Sequence, residues 1–239
     1  MPTKKKPTAK KSEGFAMKYA LTFGVLTLLL GGLALREGGP ALLLLWPALS
    51  SLTVALAYAG AGARILGKQP DGTMRLPALA VLLPYLLLSW SVWHLARLFS
   101  REPPHAEVVP GLLIGRRLLP GELPSQIGTV LDLTSEFIEP KGIREACRYV
   151  GLPILDASTL PVADVVPVLR ELAGLSVPLY VHCAQGHGRT GMIAAALLLA
   201  RRQASNVPAA LELVRRARPG VRLSRAQADA LAALAVALD

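Results

Sequence analysis

The sequence predicts an α/β domain with a central, mostly parallel sheet flanked by helices, preceded by an all-α transmembrane region. Three observations lead there. The chain of 239 residues is 52% hydrophobic and 18% charged, with a mean hydropathy of +0.44. That balance excludes a disordered chain and sits poorly with a purely soluble one. Three uncharged stretches, at 19–35, 38–63 and 76–96, crowd the first hundred residues. From residue 106 onward, short apolar runs alternate with amphipathic ones, the pattern of a sheet layered with helices.

Charge divides along the same line. Residues 1–104 carry 12 Lys+Arg against 4 Asp+Glu, a balance of +8, while residues 105–239 carry 14 against 12, a balance of +2. A nucleic-acid-binding protein would carry its basic patch on the folded domain. Basicity beside apolar runs instead reads as membrane flanks, so the expected partner is a lipid bilayer and not nucleic acid. Two cysteines exclude a disulfide framework and a cysteine-rich zinc domain.

Residues 1–18 form a basic tail holding Lys4, Lys5, Lys6, Lys10, Lys11 and Lys18 against Glu13 alone. Such a run stays solvated by itself and is drawn to anionic headgroups beside an apolar segment. Residues 19–98 read as a membrane region of about three helices, since a span needs about 20 apolar residues. The first stretch has the basic start of a signal peptide but no small-x-small cleavage site after it, so an uncleaved anchor is expected. Trp90 and Trp93 lie near a segment end, as interfacial aromatics do, and Pro47 and Pro84 are expected to kink their helices. The lysines place the N-terminus in the cytoplasm. Arg64, Lys68 and Arg75 put the next basic loop on the same side, yet Arg97 and Arg101 flank the last segment. Three full crossings and one re-entrant segment give opposite answers for the side of the C-terminal domain, and both stay open.

Residues 99–107, with Pro103-Pro104, read as a linker, and 108–239 as the second domain. Stretches 108–114, 129–133 and 152–155 read as strands, with a turn at Pro120-Gly121. Residues 141–150 are short and amphipathic, and 162–175 are helical. A buried strand over 177–182 opens into a glycine-rich loop. Helices follow over 190–202, 207–218 and 224–238, the last with Ser224 as N-cap.

That loop, Val181-His182-Cys183-Ala184-Gln185-Gly186-His187-Gly188-Arg189-Thr190-Gly191, carries the chemistry. Its glycines let successive amides turn inward at a helix N-terminus, which makes an anion site suited to a phosphate dianion. The amides of Ala184, Gln185, Gly186, His187 and Gly188 would hold it, and Arg189 would add a bidentate fork. The same field favours the thiolate of Cys183, placed for in-line attack on a bound phosphoryl group. Thr190 would hydrogen-bond the sulfur as it leaves in the second step. Backbone amides and Arg189 would absorb the transition-state charge, so the reading calls for no metal and no cofactor.

The stretch resembles the His-Cys-x5-Arg-Ser/Thr signature of the cysteine-dependent protein tyrosine phosphatase superfamily, and the domain length is similar to that of its compact dual-specificity branch. Val109-Pro110-Gly111-Leu112-Leu113-Ile114-Gly115, Leu131-Asp132-Leu133-Thr134, and Arg218-Pro219-Gly220-Val221 with Gln227 resemble that branch's opening, following and closing segments. The resemblance implies phosphomonoester hydrolysis through a phosphocysteine. It also implies a general acid on a loop before the cysteine, and Asp156, 27 residues upstream, takes that role ahead of the helical Asp164. His182 is read as orienting the loop, Asp132 as structural, and Cys147 as an inert thiol with a reversible disulfide to Cys183 as the alternative. Gln227 is a candidate for placing water.

For substrate, the loop carries Ala184 and His187 where the phosphoinositide-directed, tensin-type pattern carries lysines. A single phosphomonoester suits it better than a highly phosphorylated inositol. Tethering at the bilayer favours a lipid phosphate such as phosphatidylglycerophosphate. The alternatives are a protein tyrosine or dual-specificity phosphatase in signalling, acting on a phosphoprotein, and a non-catalytic phosphate-binding module.

Overall fold

The computed structural model describes residues 13–239, so most of the basic tail read over 1–18 lies outside the described residues. The N-terminal region contains α1 (Glu13–Glu37), α2 (Leu45–Leu56) and α3 (Leu76–Phe99). A 3-10 turn, Gly39–Leu44, leads into α2, and a wider turn, Ala57–Ala61, ends it. Three stretches, Ala16–Glu37, Gly39–Ala61 and Leu76–Phe99, are long and apolar enough to cross a membrane. They leave Leu28, Leu35, Leu43, Leu88 and Leu98 exposed, apolar surface that bilayer lipid would cover. Pro47 falls in the first turn of α2, where its missing N–H is no loss, and α3 continues through Pro84. Tyr19 of α1 stacks on Tyr58 at 4.9 Å, and Trp46 of α2 donates to the Ala80 carbonyl of α3 at 2.8 Å.

The C-terminal domain is built on five strands: β1 (His105–Val109), β2 (Leu112–Arg116), β3 (Thr129–Thr134), β4 (Arg148–Ile154) and β5 (Leu179–Cys183). Their order is β1-β2-β5-β3-β4, with only the β1–β2 pair antiparallel. Every residue of β2, β3 and β5 is buried, as parallel strands covered on both faces must be. The covering helices are α4 (Lys141–Ala146), α5 (Val162–Ala173), α6 (Gly188–Ala200), α7 (Val207–Ala217) and α8 (Arg225–Leu238). In α5, Val165, Val166, Leu169 and Leu172 recur at helical spacing and form its buried face. Helix α6 is central, and Met192 through Leu198 are all buried against the sheet and the other helices.

Three local readings change. The stretch 108–114 is not one strand: Pro110-Gly111 turns the chain, Gly111 with φ +79°, and β1 pairs back on β2. The amphipathic run 141–150 divides, because Arg148, Tyr149 and Val150 pair with β3 and leave α4 a short helix. The stretch read as a linker is docked: the Pro103 carbonyl accepts from Arg218, the Pro104 carbonyl from Arg116 N–H, and β1 starts at His105.

The two regions are packed together. The Gly72 carbonyl, just before α3, accepts from Glu139 N–H at 2.9 Å, and Trp93, near the other end of α3, donates to the Ala184 carbonyl at 2.8 Å. A helix of 24 residues is about 36 Å long. Bonds to the sheet domain thus come from the loop before α3 and from Trp90 and Trp93 toward its C-terminal end.

Helix α8 begins with a reciprocal cap in which Ser224 accepts from Gln227 N–H and Gln227 accepts from Ser224 N–H. The Ser224 hydroxyl also donates to the Ala157 carbonyl. Ser224→Ala should lower stability by about 1 kcal/mol, read as a drop in the thermal midpoint of the full chain in detergent; an unchanged midpoint would contradict this role.

Candidate active site

The loop after β5 is wedged against β2. Gly186 has φ +76°, and a Cβ there would lie 2.3 Å from the Gly115 carbonyl carbon, so only glycine fits. The turn brings Gly186 N–H back toward the Cys183 sulfur, with N to Sγ at 3.3 Å. Cys183 is 4% exposed, at the floor of the loop. Arg189 and Thr190 follow in the first turn of α6, both buried. The Thr190 hydroxyl has no hydrogen-bond partner among the described residues, which leaves it free to serve a group in the site.

Arg189 is held by a carboxylate that the sequence reading did not single out. Glu136, in the loop after β3, accepts from Nη2 at 2.7 Å and from Nη1 at 3.0 Å. The Ile154 carbonyl accepts from Nη1 at 2.8 Å. Burial works against the Glu136 charge, but the Arg189 guanidinium outweighs it and holds the carboxyl below its ordinary range. The signal for Glu136 was present as an acidic residue two positions beyond a buried strand, but sequence offers no partner for it.

Asp156 lies 3.3 Å from Arg189 Nη2 by its Oδ1, and its side chain is 64% exposed. It sits in a turn closed by Ser158 N–H to the Leu155 carbonyl, followed by Ala157 at φ +54°. A non-glycine residue in that region carries strain. The turn is pinned on both sides, by Tyr58 Oη to the Asp156 carbonyl at 3.2 Å and by Ser224 to Ala157. Cys183, Arg189, Thr190 and Asp156 thus belong to one neighbourhood, in which a phosphoryl group could be held and attacked and its departing ester oxygen protonated. Asp164 lies in the first turn of α5. Gln227 approaches the loop, its Oε1 2.7 Å from where a Cβ on Gly188 would stand.

Behind the loop lies a buried polar cluster. His182 stacks on Tyr180 at 5.5 Å, and its Nε2 lies 3.9 Å from Asp132 and 3.7 Å from Glu139. Lys68, from the loop before α3, places Nζ 2.5 Å from Asp132 Oδ2 and 2.8 Å from Thr134 Oγ1. Tyr149 also donates to Asp132. Asp132, Glu139 and His182 are close enough to hold a cation, but the Lys68 ammonium already supplies positive charge at that carboxylate. Burial raises the Asp132 carboxyl, and Lys68 more than reverses this, so Asp132 stays ionised. Burial and the Asp132 charge push Glu139 up to about 8. Burial holds His182 down to about 4, against the pull of Asp132.

His187 and Cys147 stand apart from this cluster. His187 Nε2 pairs with Glu102 at 2.7 Å, and Glu102 also meets Arg218 at 3.0 Å. Cys147, half-buried, sits against the Ile143 carbonyl at 3.5 Å.

Two outcomes follow from these charges. Glu136→Gln should weaken inhibition by orthovanadate by about 30-fold, the equivalent of about 2 kcal/mol for unpairing a buried guanidinium; unchanged inhibition would contradict the clamp. Above its ordinary pKa of 4.5, Glu139 keeps its proton in the folded chain but loses it in the unfolded one, so its contribution to stability falls as pH rises toward 8. For His182, depressed from 6.5 to about 4, stability falls as pH drops through that window. The thermal midpoint should therefore decline from pH 6.5 to 8, and Glu139→Gln should remove that decline; the same decline in the variant would contradict the assignment.

Residues 122–233 match the family described as Swiss Army Knife protein, DSP-PTPase phosphatase domain. Among solved structures, a variant of human DUSP28 is 21% identical, with a TM-score of 0.51 over 57% of this chain and 97% of that one. A mutant form of Tk-PTP is 25% identical, with a TM-score of 0.51 over 57% and 97%. PTPMT1 in complex with PI(5)P is 16% identical, with a TM-score of 0.50 over 57% and 97%. With the sheet order and the loop after β5, these matches show that the C-terminal domain has the fold of the dual-specificity phosphatases and resembles the DSP-PTPase family over residues 122–233, joined here to apolar helices long enough to cross a membrane.

Proposed function

We propose that the chain is a membrane-anchored phosphatase that hydrolyses a phosphomonoester through a phosphocysteine at Cys183, and that its substrate is a lipid phosphate. The observation that carries the reaction is Gly186 N–H turned onto the Cys183 sulfur in the same loop as Arg189, which Glu136 holds and which the exposed Asp156 approaches. Amides of Ala184, Gln185, Gly186, His187 and Gly188, with Arg189, hold the phosphoryl oxygens. The Cys183 sulfur attacks phosphorus as the ester oxygen leaves, taking a proton from Asp156. Water, deprotonated by Asp156, then attacks the phosphocysteine, and the sulfur departs toward the Thr190 hydroxyl. His182 orients the loop from behind.

Two observations support a lipid with one phosphate. Apolar helices stand beside the acid: Tyr58, which bonds the Asp156 carbonyl, stacks on Tyr19 at the start of the first apolar helix. An ester leaving group protonated by Asp156 would lie next to them. The loop also offers few cations for a second phosphate, because Ala184 has no polar side chain and His187 is paired with Glu102. Phosphatidylglycerophosphate has the required chemistry. A phosphoprotein would use the same residues, and a non-catalytic phosphate-binding module would have no use for an exposed acid beside the arginine.

Cys183→Ser should abolish turnover while phosphate binding persists; undiminished turnover would refute the covalent route. Asp156→Ala should slow esters with poor leaving groups more than activated aryl phosphates, and equal losses would move the acid elsewhere. Hydrolysis of phosphatidylglycerophosphate in vesicles should exceed that of phosphotyrosine and phosphoserine peptides, whereas peptide turnover faster by orders of magnitude would end the lipid assignment.

A further inference from the structure

Four side-chain donors from the N-terminal helical region land on four different parts of the catalytic machinery. Tyr58 Oη meets the carbonyl of Asp156, the proposed acid, at 3.2 Å. Trp90 Nε1 donates at 3.0 Å to the carbonyl of Glu136, which clamps the arginine. Trp93 Nε1 donates at 2.8 Å to the carbonyl of Ala184, the residue after the nucleophile. Lys68 Nζ reaches Asp132, the carboxylate beside His182, at 2.5 Å. A merely tethering anchor would have no reason to place its polar atoms on these groups.

Lys68 is the most demanding of the four. Its side chain is 1% exposed and that of Asp132 is fully buried, so both charges have been taken out of water. Such a pair is a poor source of net stability compared with apolar packing, and it is retained where it fixes a geometry. The geometry here is well determined. Lys68 sits opposite Met74 in a closed loop, and Gly72 of that loop bonds Glu139. Asp132 accepts from Lys68, Tyr149, Thr134 N–H and the Thr134 hydroxyl, so its carboxylate cannot turn. Its other neighbours are Glu139 and His182; His182, whose Nε2 packs 3.9 Å from Asp132 without a hydrogen bond, occupies the last position before Cys183 in β5.

We propose that Lys68 and Trp93 are positioning residues for the nucleophile: Lys68 acts through Asp132 and His182 from behind the loop, and Trp93 acts through the Ala184 carbonyl from its side. The helical region is then a working part of the phosphatase, and the active site is complete only when that region is docked. The phosphate itself is bound by the loop amides and by Arg189, which Glu136 holds independently. Loss of Lys68 or Trp93 therefore displaces the sulfur more than it weakens phosphate binding.

This inference rests on the proposed phosphocysteine chemistry, and the test separates the two. The full chain in detergent micelles is assayed with an aryl phosphate, well below each variant's thermal midpoint. Lys68→Met should lower kcat by about tenfold or more and Trp93→Phe, which keeps a ring but loses the N–H, by about threefold, with KM within about twofold of wild type. Lys68→Arg, which can still pair with Asp132, should recover most of the loss. In a double-mutant cycle, Lys68→Met should cost little more once Asp132→Asn is present. A lower midpoint with unchanged kcat, or a rise in KM that accounts for the loss, would overturn the proposal. Should Lys68→Met fail to fold, Trp93→Phe decides, and a kcat equal to wild type overturns it. No turnover by the wild-type chain on any phosphomonoester would instead sink the phosphocysteine reading itself.

Discussion

The site is organised around a guanidinium that has been taken out of water. Arg189 is 2% exposed, and both its terminal nitrogens are committed to Glu136. A buried charge of this kind is tolerable only with a counter-charge and full hydrogen bonding. Glu136 supplies the counter-charge and two of the hydrogen bonds, the Ile154 carbonyl takes another, and Nε has no partner among the described residues; Glu136 is itself fixed by Ser135 N–H and by the hydroxyl of the same serine. The fork is thereby aimed before substrate arrives, so little reorganisation remains to be done in the transition state. The sheet order makes this possible. β5 lies between β2 and β3, so the loop carrying Cys183 emerges next to the loop after β3 that carries Glu136.

The helical region extends this arrangement outward. Its contacts fall on the Asp156 turn, the Glu136 loop, the loop after Cys183 and the buried cluster behind it. The same helices expose leucines suited to lipid. One surface of the phosphatase domain is thus joined to the elements that would lie at the bilayer.

Much of the architecture was legible in the sequence because it follows from local rules. The strand over 177–182, the glycines at 186 and 188, and Arg189 at a helix start marked the position of the loop. The uncharged runs marked the helical region by length alone. What stayed hidden depends on tertiary pairing. Glu136 and Glu139 carried no signal in the sequence analysis, because only the fold brings one to Arg189 and the other to His182. Lys68 read as a flanking cation of a membrane loop, yet it is buried 64 residues away in sequence from its partner. Asp132 read as structural, and its carboxylate indeed sits at the centre of the hidden cluster. The hairpin of β1 and β2 was signalled by Pro110-Gly111 but was masked by the apolar run on either side.

The most direct measurement traps the covalent species. The wild-type chain is mixed with a phosphomonoester, quenched in acid within the first turnover, digested and examined by mass spectrometry. The account predicts a phosphoryl group on the sulfur of Cys183 that forms and decays at rates matching turnover. Turnover with the phosphoryl group on another residue, or with no phosphorylated enzyme at any time, would contradict it.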